Sequence, residues 1–189
     1  GLSAAYYLRR NGYPVTVFEK EIRPGGMLLN GIPSFRLEKD VLEAEIDIIR
    51  EMGVEIRCGV EVGKDITLDE LRAEGYKAFY IAIGAQGGRM TGVPGEDAEG
   101  VMTGVEFLRK VNLVMNEAPT ASSSVPVNEE TPSPKYLSGE TVVIGGGNVA
   151  VDVARTAIRA GSSQVTMLCL ESSEEMPAAP DEVAEAKTT

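Results

Sequence analysis

The sequence predicts an α/β fold of the Rossmann-like type, with central parallel sheets, and it predicts parts of two such domains rather than one whole domain. Three observations lead there. Apolar, β-branched runs alternate with amphipathic stretches, the pattern of parallel strands joined by crossover helices. The run Gly145-Gly146-Gly147-Asn148-Val149-Ala150 follows a four-residue apolar strand and opens a helix. At the other end, Gly1-Leu2-Ser3-Ala4-Ala5-Tyr6-Tyr7-Leu8 reads as a helix of the same kind, its strand and first two glycines expected upstream of Gly1.

The elements follow in order. Val15–Glu19, Val54–Cys58 and Ala78–Ile83 are predicted strands. The first and third are almost continuously apolar, as for strands covered on both faces. Between the first two, Leu37, Val41, Leu42, Glu45, Ile48, Ile49 and Met52 fall at helical spacing, and Gly53 stops the helix. Thr67-Leu68-Asp69-Glu70 is a capping box opening a short helix that ends near Gly75. From Asn116 to Ser138 four prolines, three consecutive serines and the pair Glu129-Glu130 interrupt any periodicity, which reads as a linker or long loop. A βαβ unit follows: strand Thr141–Ile144, helix Asn148–Ala160, Gly161, strand Gln164–Leu170. The expected division is a first partial domain over 1–115, the linker over 116–138 and a second partial domain over 139–189.

Composition narrows the chemistry. The 189 residues carry 18 Lys+Arg against 29 Asp+Glu, a formal net charge of −11, with no His, no Trp and two Cys. Without His there is no Ser-His-Asp or Cys-His nucleophile and no HExxH zinc site. Two isolated thiols, Cys58 and Cys169, cannot ligate an iron–sulfur cluster, which usually takes four. Both are expected to be buried and inert. The acidic balance speaks against nucleic acid and anionic membranes as partners. No signal peptide or apolar run of about 20 residues is visible, so a cytoplasmic location is expected. Asp181, Glu182 and Glu185 after Pro180 read as an acidic helix start, not a metal site. The chain begins at Gly1 and is expected to be a piece of something longer.

The glycine run carries the most specific chemistry. Gly145 permits a tight turn, Gly147 lets backbone approach a pyrophosphate, and Ala150 lets helix and strand pack closely. The helix N-terminus offers N–H donors and positive potential to phosphates, with Gly146, Asn148 and Val149 in the same turn. Glu171 ends the second strand, 21 residues after Ala150, where a carboxylate accepts hydrogen bonds from an adenosine ribose. It repels a 2′-phosphate, and Ser172-Ser173-Glu174-Glu175 offer no cation to bind one, so NADH is expected over NADPH. Glu19, 18 residues after Gly1, would hold a second adenosine ribose. Two dinucleotide sites suggest that one dinucleotide gives a hydride to the other, with no catalytic side chain required.

Val15–Arg36 (VTVFEKEIRPGGMLLNGIPSFR), Tyr80–Ala85, Gly92-Val93-Pro94-Gly95-Glu96-Asp97 and GGGNVAVDVART together resemble the small (β) subunit of glutamate synthase. The same module is found in dihydropyrimidine dehydrogenase and related FAD-containing NAD(P)H oxidoreductases. The resemblance implies that Glu19 binds the FAD ribose and that Gly25, Gly26, Met27 and Arg36 line the FAD site. It implies that Val62 touches the adenine side, and that Ala82-Ile83-Gly84 closes over FAD. It assigns Gly145–Ala150 and Glu171 to the nicotinamide nucleotide. Iron–sulfur clusters would belong to parts beyond these residues or to a larger redox partner.

The sequence departs from that family in the absent FAD phosphate turn and cysteine-rich domain, and in an acidic rather than Arg-rich strand end at Leu170-Glu171. The given residues alone are therefore expected not to retain FAD. No CxxC precedes the second glycine run, which disfavours disulfide reduction. A non-catalytic nucleotide-binding or scaffold role is the alternative reading.

Overall fold

A computed structural model describes residues 1–115, 136–172 and 175–188. Most of the expected linker, residues 116–135, lies outside the described residues. The chain divides into two compact units: residues 1–29 with 34–85, and residues 30–33 with those from Gln86 onward.

In the first unit, helix α1 (Leu2–Arg10) leads to strand β1 (Thr16–Glu19). Helix α2 (Met27–Asn30) follows, and helix α3 (Lys39–Glu51) carries the chain back to strand β2 (Glu55–Cys58). The strands pair in parallel, Thr16 opposite Glu55 through Glu19 opposite Cys58, a pairing that requires a crossover of this kind. Leu29, Leu42 and Ile46 are buried together, with Leu2 and Ile56 against them. The helix ends are fixed by particular groups. Gly53 has φ +88° just after α3, and the Arg9 Nε donates to the Met52 carbonyl at 2.7 Å. Helix α4 (Leu68–Ala73) opens with the full capping box between Thr67 and Glu70. Its Leu71 is 2% exposed.

The expected strand over Ala78–Ile83 does not form. Residues 76–90 carry no strand pairing, and Tyr80, Ile81 and Ile83 are 72%, 75% and 82% exposed. A strand exists only where a ladder partner satisfies its backbone. Among the described residues, β1 pairs with β2 alone. Apolar continuity signalled the right backbone propensity but could not supply the neighbour.

In the second unit, helix α5 (Gly104–Met115) precedes strand β3 (Glu140–Ile144), helix α6 (Asn148–Arg159), strand β4 (Gln164–Leu168) and helix α7 (Pro180–Ala186). Strands β3 and β4 are parallel, Glu140 opposite Gln164 through Ile144 opposite Leu168. Helix α6 packs on both strands and against α5 and α7. Its Ala154 and Ala157, with the C-cap Ala160, meet Phe107, Leu108 and Val111 of α5 and Val143 of β3 in the core. Small residues on α6 let the layers approach closely. Tyr136 and Leu137 pack against this core, and both of their amides donate to the Ala160 carbonyl, closing the end of α6. No helix among the described residues is long and apolar enough to cross a membrane.

Candidate nucleotide-binding sites

The sequence-predicted residues sort by unit. Gly1, Glu19, Gly25, Gly26, Met27, Arg36, Val62, Ala82 and Gly84 lie in the first unit, and Gly145–Ala150 and Glu171 lie in the second.

The second set forms a continuous turn between β3 and α6. Gly145 has φ +142°, a conformation that side chains rarely adopt, and a Cβ placed on it would stand 3.4 Å from the Ala150 Cβ. That is the close strand–helix approach for which a small residue is needed at 150. Gly146 is buried. A Cβ there would stand 3.0 Å from the Cys169 Cβ and 3.3 Å from Glu171 Oε2. The structure thus brings the Glu171 carboxylate beside the glycine turn. Gly147 is the N-cap of α6, in extended backbone (φ −89°, ψ 174°), and no side chain caps the helix. A Cβ on Gly147 would meet nothing within 4 Å. An uncapped helix start beside open space can receive an anion on its first amides. The residues present therefore fit a dinucleotide pyrophosphate.

Cys169 departs from expectation, being exposed rather than buried. It lies one residue past β4, beyond the residues that pair with β3. Cys58 is partly buried, and burial pushes its thiol above the ordinary range, which suits an inert role.

In the first unit, Gly1 is the N-cap of α1 with no side-chain cap, and a Cβ on it would stand 3.6 Å from the Ala82 Cβ. Glu19 ends β1, and its Oε1 accepts the Glu21 N–H at 3.0 Å, which fixes the carboxylate at the strand end. Gly25 (φ +139°) and Gly26 (φ +56°) turn the chain into α2. A Cβ on Gly25 would stand 3.0 Å from the Leu29 Cβ and 3.3 Å from Leu42 Cδ2, so this glycine is demanded by both conformation and space. Met27, Arg36, Val62, Ala82 and Gly84 are exposed. Gly84 has φ +70°.

Sequence reading missed the groups that brace these turns. The Lys39 Nζ donates to the Leu28 carbonyl in α2 at 2.8 Å, and burial lowers the Lys39 pKa. In the second unit, Asn112 of α5 is buried and its Nδ2 donates to the carbonyls of Asn30 (2.9 Å) and Ile32 (3.3 Å), holding residues 30–33. Among the described residues, no group of three or more Cys, Asp or Glu side chains is placed to hold a metal ion.

Residues 1–188 match the family described as pyridine nucleotide-disulphide oxidoreductase. The chain belongs to this family. Its relatives include the NADP(+)-dependent formate dehydrogenase subunit beta of Moorella thermoacetica, 43% identical over 190 residues. That match covers 99% of this chain and 24% of the relative. The NAD-dependent dihydropyrimidine dehydrogenase subunit PreT of Escherichia coli (strain K12) is 37% identical, covering 99% of this chain and 40% of the relative. The glutamate synthase [NADPH] small chain of the same organism is 35% identical, at 99% and 38%. The chain therefore spans about a quarter to two-fifths of these relatives. Mycobacterium tuberculosis FprA, solved in complex with NADPH, shares the fold at a TM-score of 0.68 and 21% identity, covering 99% of this chain and 44% of that one. The resemblance drawn from the motifs is thus a family membership, and the Rossmann-like fold is the family's.

Proposed function

We propose that this oxidoreductase chain is the electron-input part of a larger enzyme, in which NADH binds the second unit, FAD binds the first, and electrons leave through iron–sulfur clusters to a redox partner. When bound, the nicotinamide and the flavin supply the hydride donor and acceptor; the chain binds and orients them. The observation that carries the reading is the β3–α6 turn: a left-handed Gly145 against Ala150, an uncapped α6 start, and Glu171 beside Gly146. In this reading the first amides of α6 hold the pyrophosphate and Glu171 accepts from the ribose hydroxyls. Glu19 takes the equivalent role for FAD, with Gly25, Gly26, Met27, Arg36, Val62, Ala82 and Gly84 lining that site. No side chain has to move a proton, which suits a chain without His.

The relatives' names include both NAD and NADP(H), so the preference for NADH rests on Glu171 and on the lack of a Lys or Arg in the sequence Ser172-Ser173-Glu174-Glu175. The cytoplasmic assignment rests on the thiol-poor composition.

The test is optical. Full-length protein should be yellow and should bleach under NADH without oxygen. A colourless preparation that releases no flavin on denaturation sinks the proposal.

A further inference from the structure

Resting on that reading of the β3–α6 turn, we propose that Asn148 and the segment 176–180 form a clip that sets the geometry of the turn, latched at a distance by the Arg155–Glu185 ion pair. These are positioning residues for the dinucleotide, and Asn148 acts through the chain rather than as a ligand.

Two hydrogen bonds make the clip. The Gly146 carbonyl accepts the Ala178 N–H at 3.0 Å, and the Asn148 Oδ1 accepts the Ala179 N–H at 2.8 Å. The two acceptors flank Gly147, the N-cap, so the turn is tethered on both sides of the residue whose surroundings are open. Ala178 is 5% exposed, which shields its bond from water. The first bond has a directional consequence. A trans peptide points its C=O and the following N–H to opposite sides, so fixing the Gly146 carbonyl on Ala178 aims the Gly147 N–H away from the clip.

The segment is itself held in place. Pro180 begins α7 immediately after Ala179, and seven residues are too few for a helix to persist unaided. Helix α7 depends on packing against α6, where Arg155 Nη1 meets Glu185 Oε2 at 2.8 Å. The Arg155 side chain is 11% exposed and that of Glu185 62%, so the guanidinium side of the pair is shielded from water while the carboxylate stays at the surface. Asn148 and Arg155 stand seven residues apart on α6 and share a face. Helix α6 therefore grips the returning chain at two points, two turns apart.

The experiment measures NAD(P)H dissociation constants, KM and kcat in the full-length protein, with flavin content and circular dichroism as folding controls. Asn148→Ala removes the acceptor. Ala179→Pro removes the donor at a residue whose φ of −60° suits proline. Each should raise the dissociation constant about tenfold, and the double variant should be no worse than either alone, because both remove one bond. Glu185→Arg should weaken binding several-fold, raising KM with kcat unchanged, and Arg155→Glu with Glu185→Arg should restore it. If Ala179→Pro fails to fold, the Glu185 series decides. An additive double variant, or weakening confined to Asn148→Ala, would overturn the clip and make Asn148 a direct ligand. Gly146→Val separates the two ideas: it should abolish dinucleotide binding whatever the clip does, and retained binding would overturn the site itself.

Discussion

Gly146 lies beside Glu171 past the end of the β3–β4 pair: a side chain on the glycine would begin 3.3 Å from the carboxylate Oε2 and 3.0 Å from the Cys169 Cβ. Its neighbour Gly147 faces open space in a backbone conformation open to any residue. Packing accounts for Gly146, whereas neither packing nor backbone conformation demands a glycine at 147; on the proposed function, the pyrophosphate does. Gly147→Ser tests this. Serine is the better N-cap, so unfolding free energy should rise by a few tenths of a kcal/mol, while the hydroxymethyl group obstructs the phosphate position. Calorimetric titration should show dinucleotide affinity falling about tenfold, equivalent to about 1.4 kcal/mol. Stability and binding moving in opposite directions is the signature; parallel loss would mean that Gly147 is structural only.

The nucleotide preference should follow Glu171. A carboxylate beside the turn accepts from a free 2′-hydroxyl and repels a 2′-phosphate, so NADH should give the higher kcat/KM. Glu171→Arg replaces the acceptor with a fork of donors suited to phosphate. Steady-state kinetics with both dinucleotides should show the NADH to NADPH ratio of kcat/KM falling at least tenfold. An unchanged ratio would place the adenosine ribose elsewhere.

What was legible in the sequence was local. Thr67 and Glu70 announce their capping box within four residues, Gly53 announces the end of α3, and Gly145 with Ala150 announces the turn. Helix α5 is not among the elements expected above, although its sequence carries signals. Thr103 and Glu106 stand at capping-box spacing, with the Glu106 N–H donating to Thr103 Oγ1 at 3.3 Å, and Phe107, Leu108 and Val111 share one apolar face. Ala78–Ile83 failed for the opposite reason, since its signal was strong but its partner was a matter of tertiary context. The Asn148–Ala179 and Asn112–Asn30 bonds span 31 and 82 residues and engage backbone groups. Every residue has such groups, so no residue type marks these contacts in advance.

Gly25 should be the most sensitive position of the first unit. Alanine there would need φ near +139° and would press its Cβ to 3.0 Å from the Leu29 Cβ and 3.3 Å from Leu42 Cδ2. Backbone strain and overpacking each cost about 1–3 kcal/mol. Because the strain falls between β1 and α2, Gly25→Ala should lose flavin as well as stability. Flavin to protein absorbance ratio and thermal unfolding should fall together, whereas Gly26→Ala, with no atom within 4 Å of its Cβ, should lose less of both.

Asn112 should matter more than its position in an apolar helix suggests. It is 6% exposed, and its amide holds the Asn30 and Ile32 carbonyls. Asn112→Leu conserves volume but leaves those carbonyls without that donor, at a cost of about 1–3 kcal/mol. Denaturant unfolding should show a lower midpoint with an unchanged slope, which reports lost stability rather than a changed unfolded state.

Glu96 should make one loop respond to acid. Its carboxylate accepts the backbone N–H groups of Thr91 and of Gly92, the latter at 2.6 Å, and the Thr91 hydroxyl at 3.1 Å. The Thr91 amide bond is the chief cause that holds its pKa below the ordinary 4.5. A depressed folded-state pKa means that the charged form favours the folded loop. The stabilisation is complete above about pH 4.5 and is lost as pH falls through the lower folded value. Protection of the Thr91 and Gly92 amides against hydrogen exchange, corrected for intrinsic rates, should therefore be flat at neutral pH and decline below pH 4.5. In Glu96→Ala both amides should exchange freely throughout, while Tyr136 and Leu137, bonded to Ala160, keep their protection. Loss of protection at all four amides together would report global unfolding and remove Glu96 as the cause.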